Sequence, residues 1–172
     1  PLLYKDIGVD GIKTGFLAVE QYSLAASAKS GKRRVTIVGS GFKTKNSRSR
    51  ESIKILNWGL RKFDTIMVAK KDKTLEKFKV WLGKKSKVEV TTDKDIYLTV
   101  PKRKKNTIKA VAEYNTPINA PVEKGDKLGK LYVYINDELK EEAYILAKES
   151  VKEANIFSRL FMSFNYLVWG DV

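Results

Sequence analysis

Val9-Asp10-Gly11-Ile12-Lys13-Thr14-Gly15-Phe16 is the stretch from which the rest of the chain is best read. Taken as an extended edge strand, its Lys13-Thr14-Gly15 triplet sets an ammonium, a hydroxyl and a glycine side by side. The ammonium supplies positive potential, the hydroxyl can donate to a ligand carboxylate, and the glycine lets a ligand approach the backbone. Lysine is the commonest charged residue of the chain. A surface lysine before a Thr-Gly turn would read the same way, so context has to separate the two.

Composition narrows that context. The 172 residues suffice for one ordinary domain, or for a small domain with part of another. Hydrophobic residues make up 42%, enough for a core, and the formal net charge is +14. An excess of that size suits nucleic acid, an anionic membrane surface or an acidic polymer. There is no cysteine and no histidine, which excludes disulfides, thiolate and imidazole metal ligation, and Ser-His-Asp triads. No metal and no cofactor is expected. No apolar run reaches the roughly eighteen residues of a spanning helix. Pro1-Leu2-Leu3-Tyr4-Lys5 lacks the charged-then-apolar order of a signal peptide, and the chain reads as one entered in mid-sequence.

Working outward, Tyr22, Leu24, Ala26 and Ala28 alternate along one side of a strand. After Ser30-Gly31-Lys32 the return strand covers Val35 to Val38, which completes an antiparallel three-stranded meander with the Lys13 segment. Small residues at Ala25, Ala26 and Ala28 leave room for a helix. Between Asn46 and Phe63 the period becomes helical through Ile53, Leu56, Leu60 and Phe63, with Asn46 or Ser47 as cap and Arg61-Lys62 at the negative end of the dipole.

Beyond Asp64 short alternating runs recur: Phe78 to Leu82, Val88 to Val90, Ile96 to Val100, Ile108 to Tyr114 and Leu131 to Ile135. Turn signals separate them, as in an all-β sandwich or barrel. After Glu149 a wide apolar stripe of Ile156, Phe157, Leu160, Phe161, Phe164, Leu167 and Val168 leads to Trp169. Such a helix is too short and too polar on one side to span a bilayer; it can lie in a membrane interface or pack on a core. The expected organisation is residues 1–63, a β-rich domain over 64–148, and a helix over 149–172.

In this order the chain resembles the C-terminal part of the D-alanyl-D-alanine carboxypeptidases, the low-molecular-mass penicillin-binding proteins. The carriers are Gly8 to Gly15, Tyr22-Ser23-Leu24-Ala25-Ala26-Ser27-Ala28, Arg48 to Glu51 leading into Leu56-Asn57-Trp58-Gly59, and Asp95-Ile96-Tyr97-Leu98-Thr99-Val100-Pro101. K-T-G is one of the signatures of such serine acyl-transferases. The resemblance implies an α+β, mostly β fold: the last strands and helix of a transpeptidase or β-lactamase-like domain, a small β-sandwich, and a C-terminal amphipathic helix. It implies a periplasmic hydrolase on the outer face of the inner membrane that trims peptidoglycan stem pentapeptides through an acyl-enzyme, and that β-lactams acylate.

It also implies roles by position. Lys13 would serve the catalytic network, Thr14 would bind the substrate carboxylate, Gly15 would leave room for it, and the Phe16 N–H would be one oxyanion-hole donor. Arg48 falls where the family places an arginine near that carboxylate; a solvated place in a first helical turn is the alternative, and Arg50 is its competitor. Phe157, Leu160, Phe161, Phe164, Leu167 and Trp169 would meet the membrane. The chain departs from the family at Phe16-Leu17, which lacks a hydroxyl many relatives carry there, and at Gln21, where relatives usually have glycine.

The activated serine of S-x-x-K and the second serine of S-x-N belong well before Lys13. Ser40-Gly41-Phe42-Lys43 and Ser163-Phe164-Asn165 match formally, in the wrong order relative to Lys13. The chain is therefore expected to be a carboxypeptidase fragment that hydrolyses nothing alone and whose partner is the missing N-terminal catalytic piece.

Basic residues stand out in the β-rich region at Lys70-Lys71, Lys84-Lys85 and Lys102-Arg103-Lys104-Lys105, the last run reading as a solvated hairpin loop. With the terminal helix they suit anionic lipid. The alternative function is a cell-envelope binding or scaffold module. Nucleic acid is not expected as a partner, because the basic runs lack interleaved aromatics.

Overall fold

The computed structural model describes residues 8–31 and 33–170. The readings of Pro1 to Lys5, of Lys32 after Ser30 and of the final two residues lie outside the described residues. Among those described, the chain forms two compact units, one running to Thr65 and taking in Thr99–Arg103, the other made of Ile66–Leu98 and the chain from Lys104 onward. The molecule is mostly β with few helices, as expected.

The first unit is a sheet of three antiparallel strands in the order β1 (Val9–Leu17), β2 (Gln21–Ser30) and β3 (Arg33–Phe42), with helix α1 (Lys45–Lys62) packed on it. Alternation puts Leu24, Ala26 and Ala28 on one face, where they are buried with Leu56. Ala25 alternates to the other face and gives the helix no room, contrary to expectation. Val35, Ile37, Ile53 and Leu60 close around this cluster. Truncating a leucine as buried as Leu56 to alanine costs about 2–5 kcal/mol. Close approach of the helix depends on Gly59, where a Cβ would lie 2.9 Å from Val35 Cγ1.

Helix α1 begins one residue earlier than its sequence suggests. Thr44, rather than Asn46 or Ser47, is the N-cap: its side chain accepts from the Ser47 N–H while the Ser47 hydroxyl accepts from the Thr44 N–H. At the far end the Arg33 guanidinium donates to the carbonyls of Gly59 (2.8 Å), Leu60 (3.1 Å) and Phe63, satisfying groups the helix leaves open.

Two strands carry the chain between the units: β4 (Phe63–Ala69) pairs with β7 (Ile96–Pro101). The second unit contains a sheet in the order β8 (Ile108–Tyr114), β10 (Lys127–Ile135), β11 (Glu138–Ala147), β6 (Lys87–Thr92), β5 (Glu76–Trp81) and β9 (Ile118–Asn119). Its pairs are antiparallel except β5 with β9. Phe78, Val88, Val90, Ile96, Val133 and Ile145 are fully buried. Lys102–Thr107 is largely exposed, as expected of the basic run, but it is a 3-10 segment and not a hairpin turn, because β7 pairs with β4 while β8 pairs with β10.

The last helix, α2 (Ile156–Trp169), starts seven residues beyond the expected Glu149. Val151 is buried and exchanges backbone hydrogen bonds with Val122, so residues 150 to 154 belong to the β-rich unit. Asn155 then caps the helix by accepting from the Ser158 N–H.

Candidate functional site

Strand β1 pairs with β2 on one side only, so half of its backbone groups face away from the ladder. Lys13 stands opposite Ala25, Thr14 opposite Leu24 and Gly15 opposite Ser23. Asp10, three residues before Lys13, anchors this edge: its two carboxylate oxygens accept from both terminal nitrogens of Arg34 at 2.7 Å, and Arg34 also donates to Ser27 Oγ at 2.7 Å. This fork holds β1 to β3 across β2, and hydrogen bonding from Arg34 lowers the Asp10 carboxyl below its ordinary value. The sequence singled out neither Asp10 nor Arg34; a fork joining strands 24 residues apart leaves no local pattern.

Lys13, Thr14 and Arg48 come together in one groove of about 520 Å³. Val9, Ile12, Leu24 and Ala26 supply its apolar lining, and Lys45, which the sequence reading missed, adds a third cation from the first turn of α1. Among the described residues no carboxylate lines it. Among the described residues neither Lys13 nor Arg48 forms an ion pair. The Arg48 guanidinium instead lies over the Tyr22 ring, 5.6 Å from its centroid. Arg50, the competitor, is engaged with Glu51 at 2.8 Å and does not line the groove. Geometry thus picks out Arg48 as the arginine with unused fork donors.

Gly15 and Phe16 do not line this groove. A Cβ on Gly15 would meet Ser23 Oγ at 2.5 Å, so here the glycine makes room for a neighbouring strand. The Phe16 ring packs on Tyr22 with centroids 4.8 Å apart, extending the row that ends at Arg48. Gln21, in the place where glycine was anticipated, has φ +58°, a left-handed conformation that glycine adopts without strain.

The two formal serine motifs do not form sites. Ser40 is on β3 and Lys43 lies in the bend past its end, so the pair lacks the shared helical turn that brings residues three apart together. Ser163 and Asn165 are two apart on α2 and face different directions.

All six side chains expected at a membrane are exposed: Phe157 and Leu167 at 84%, Trp169 at 78%, and Leu160, Phe161 and Phe164 between 63% and 65%. No residue of α2 is buried, so the helix does not pack into a core formed by the described residues. Tyr166 touches the β-rich unit, its ring 5.5 Å from that of Trp81. No helix among the described residues is long and apolar enough to cross a membrane. Charge is distributed differently from the visible basic runs: residues 1–63 hold 13 Lys and Arg against 4 Asp and Glu, whereas 64–148 hold 19 against 13. Positive potential is therefore densest on the unit that carries Lys13 and Arg48.

Comparison with known proteins bears on the whole chain. A family model described as penicillin-binding protein 5, C-terminal domain, matches residues 63–153. D-alanyl-D-alanine carboxypeptidase DacC of Escherichia coli (strain K12) is 34% identical over 157 residues, covering 91% of this chain and 39% of DacC. DacF of Bacillus subtilis (strain 168), also a D-alanyl-D-alanine carboxypeptidase, is 34% identical over 165 residues, covering 95% of this chain and 41% of DacF. The crystal structure of penicillin binding protein 5 from Haemophilus influenzae superposes with a TM-score of 0.68 at 32% identity, covering 86% of this chain and 43% of that one. The chain thus spans about two fifths of the length of these relatives. With more than half of its residues inside the family's C-terminal domain, this chain belongs to the penicillin-binding protein 5 family of D-alanyl-D-alanine carboxypeptidases.

Proposed function

We propose that residues up to Thr65 are the last strands and helix of a transpeptidase-like domain, and that they supply one wall of a serine D-Ala-D-Ala carboxypeptidase site. In this reading the substrate's terminal carboxylate is held by the Thr14 hydroxyl and the Arg48 fork, within the positive potential of Lys13. The Phe16 N–H, next along this edge strand, donates to the oxyanion of the tetrahedral intermediate. Gly15, which lets β2 approach closely at Ser23, leaves the backbone of this edge open to a peptide. In this reading the attacking serine belongs to polypeptide outside these 172 residues, which alone do not hydrolyse stem peptides or β-lactams.

The observation that carries the reading is the pair of cations, Lys13 and Arg48, that share a groove with Thr14 and meet no carboxylate among the described residues. A network built for stability alone would pair them, as Arg50 pairs with Glu51. The β-rich unit and α2 would hold the enzyme on the anionic outer face of the inner membrane, in the periplasm, with the exposed apolar face of α2 among the acyl chains.

Incubation of the chain with a fluorescent penicillin tests the catalytic part. No covalent label is expected; a label on Ser40 or any other serine overturns it.

A further inference from the structure

On the solvent face of the β8, β10 and β11 strands lies a second, shallow groove of about 300 Å³, in the unit that does not carry Lys13. Cross-strand pairing puts Glu113 beside Lys130 and Lys130 beside Tyr144, while Tyr132, two residues along the same strand, stands opposite Glu142. Tyr144 is exposed, and Tyr132 and Tyr144 are diagonal neighbours on one face. Tyr114, at the groove's border, alternates to the other face of β8, where its ring stacks on the buried Phe78 with centroids 3.8 Å apart and anchors that edge of the sheet.

The cations here are held unusually. Lys127 Nζ sits 4.0 Å from the Tyr144 ring centroid and has no carboxylate partner among the described residues. Lys130 reaches the same ring at 5.6 Å and Glu142 at 3.7 Å. The groove therefore offers aromatic surface from Tyr132 and Tyr144, hydrogen-bonding groups of both kinds from Glu113 and Asn115, and one ammonium without an anion among the described residues.

We infer that this groove binds a glycan strand of N-acetylated, carboxylate-bearing amino sugars. A pyranose presents a face of C–H bonds to tyrosine rings, its hydroxyl and acetamido groups hydrogen-bond to Glu113 and Asn115, and a carboxylate pairs with Lys127. Polyphosphate is disfavoured, because Glu113 and Glu142 stand on the same face and repel a closely charged backbone. The inference rests on the proposed function in one respect: stem peptides hang from such a glycan, so holding the glycan raises their local concentration at a peptide-cleaving site.

The test is amide NMR on the full chain, titrated separately with a neutral N-acetylglucosamine tetramer, a muramic-acid-containing tetrasaccharide and an oligothymidylate. The muramic-acid glycan should shift the amides of Glu113, Lys127, Lys130 and Tyr144, and bind more tightly than the neutral tetramer. Tyr144→Leu and Lys127→Gln should each weaken it about tenfold, with the remaining spectrum unchanged. Tyr97→Ala, at an exposed tyrosine outside the groove, should not. The inference is overturned by no shift with either glycan up to about 10 mM, by shifts elsewhere, by equal affinity for the oligothymidylate, or by unaltered affinity in both groove variants. Peptide binding at the first groove is read from Thr14 and Arg48, so failure of one reading is visible apart from failure of the other.

Discussion

The guanidinium of Arg48 rests 5.6 Å from the centre of the Tyr22 ring, and no carboxylate among the described residues pairs with it. An arginine so placed keeps its fork donors for an incoming anion while the ring fixes its position. Hydrogen bonds to a charged group contribute about 1.5–3 kcal/mol. Arg48→Ala is therefore expected to weaken binding of an N-acyl-D-Ala-D-Ala peptide about ten- to hundredfold, and Arg50→Ala to leave it unchanged. Titration followed at the Thr14 amide checks both. Equal losses in the two variants would assign the effect to net charge.

Gln21 predicts a stabilising substitution. An L-residue in the left-handed region costs about 1–2 kcal/mol, and glycine recovers that at the expense of a more flexible unfolded chain. Gln21→Gly should raise the stability of the first unit by about 1 kcal/mol, measured by hydrogen exchange at Leu24 and Ala26. A loss of protection there would show that Gln21 makes a contact worth more than its strain.

Acid stability has an identifiable contributor in Glu89. Its carboxylate accepts from Thr74 Oγ1 at 2.8 Å and pairs with Lys77 at 3.1 Å and Lys148 at 3.5 Å. These partners, Thr74 first, lower its pKa from 4.5 to about 2. The folded state then holds the proton less tightly than the unfolded one, so the contribution is complete above pH 4.5 and disappears as pH falls towards about 2. The stability difference between the wild type and Glu89→Gln should shrink across that window in urea unfolding. A difference independent of pH would contradict the assignment.

Truncation can separate the helix from the unit that precedes it only if cut in the right place. Val151 and Ala154 are buried in the β-rich unit, so removing everything after Glu149 would damage it. A chain ending at Asn155 should keep its fold and lose sedimentation with phosphatidylglycerol vesicles, whereas the full chain should sediment at low salt. Equal sedimentation of both would remove α2 from membrane association.

Where one strand or helix face is buried, the elements could be read directly. Leu24, Ala26 and Ala28 alternate, and Ile53, Leu56 and Leu60 step round a helix, because each set meets the other across one core. Strand β11 escaped notice because its first half, Glu138 to Glu142, is charged on both faces, so that only Ala143, Ile145 and Ala147 mark the buried side. Strand β4 was hidden by its place directly after the last turn of α1. At the first groove, Lys13 and Thr14 are legible in the K-T-G triplet, whereas Arg48 is reached only through the family resemblance. Lys45 and the apolar lining are legible in neither, since only the packing of α1 brings them there. The Tyr132 and Tyr144 pair likewise exists only through the β10–β11 register.

The most direct test of the two-part site joins the N-terminal portion of DacC, up to its match with this chain, to the present sequence and measures labelling by a fluorescent penicillin. The account predicts label on a serine of the grafted portion, none on the present chain alone, and strong loss of label in Lys13→Ala of the folded chimera. Label on the unjoined chain, or chimera labelling indifferent to Lys13, would contradict it.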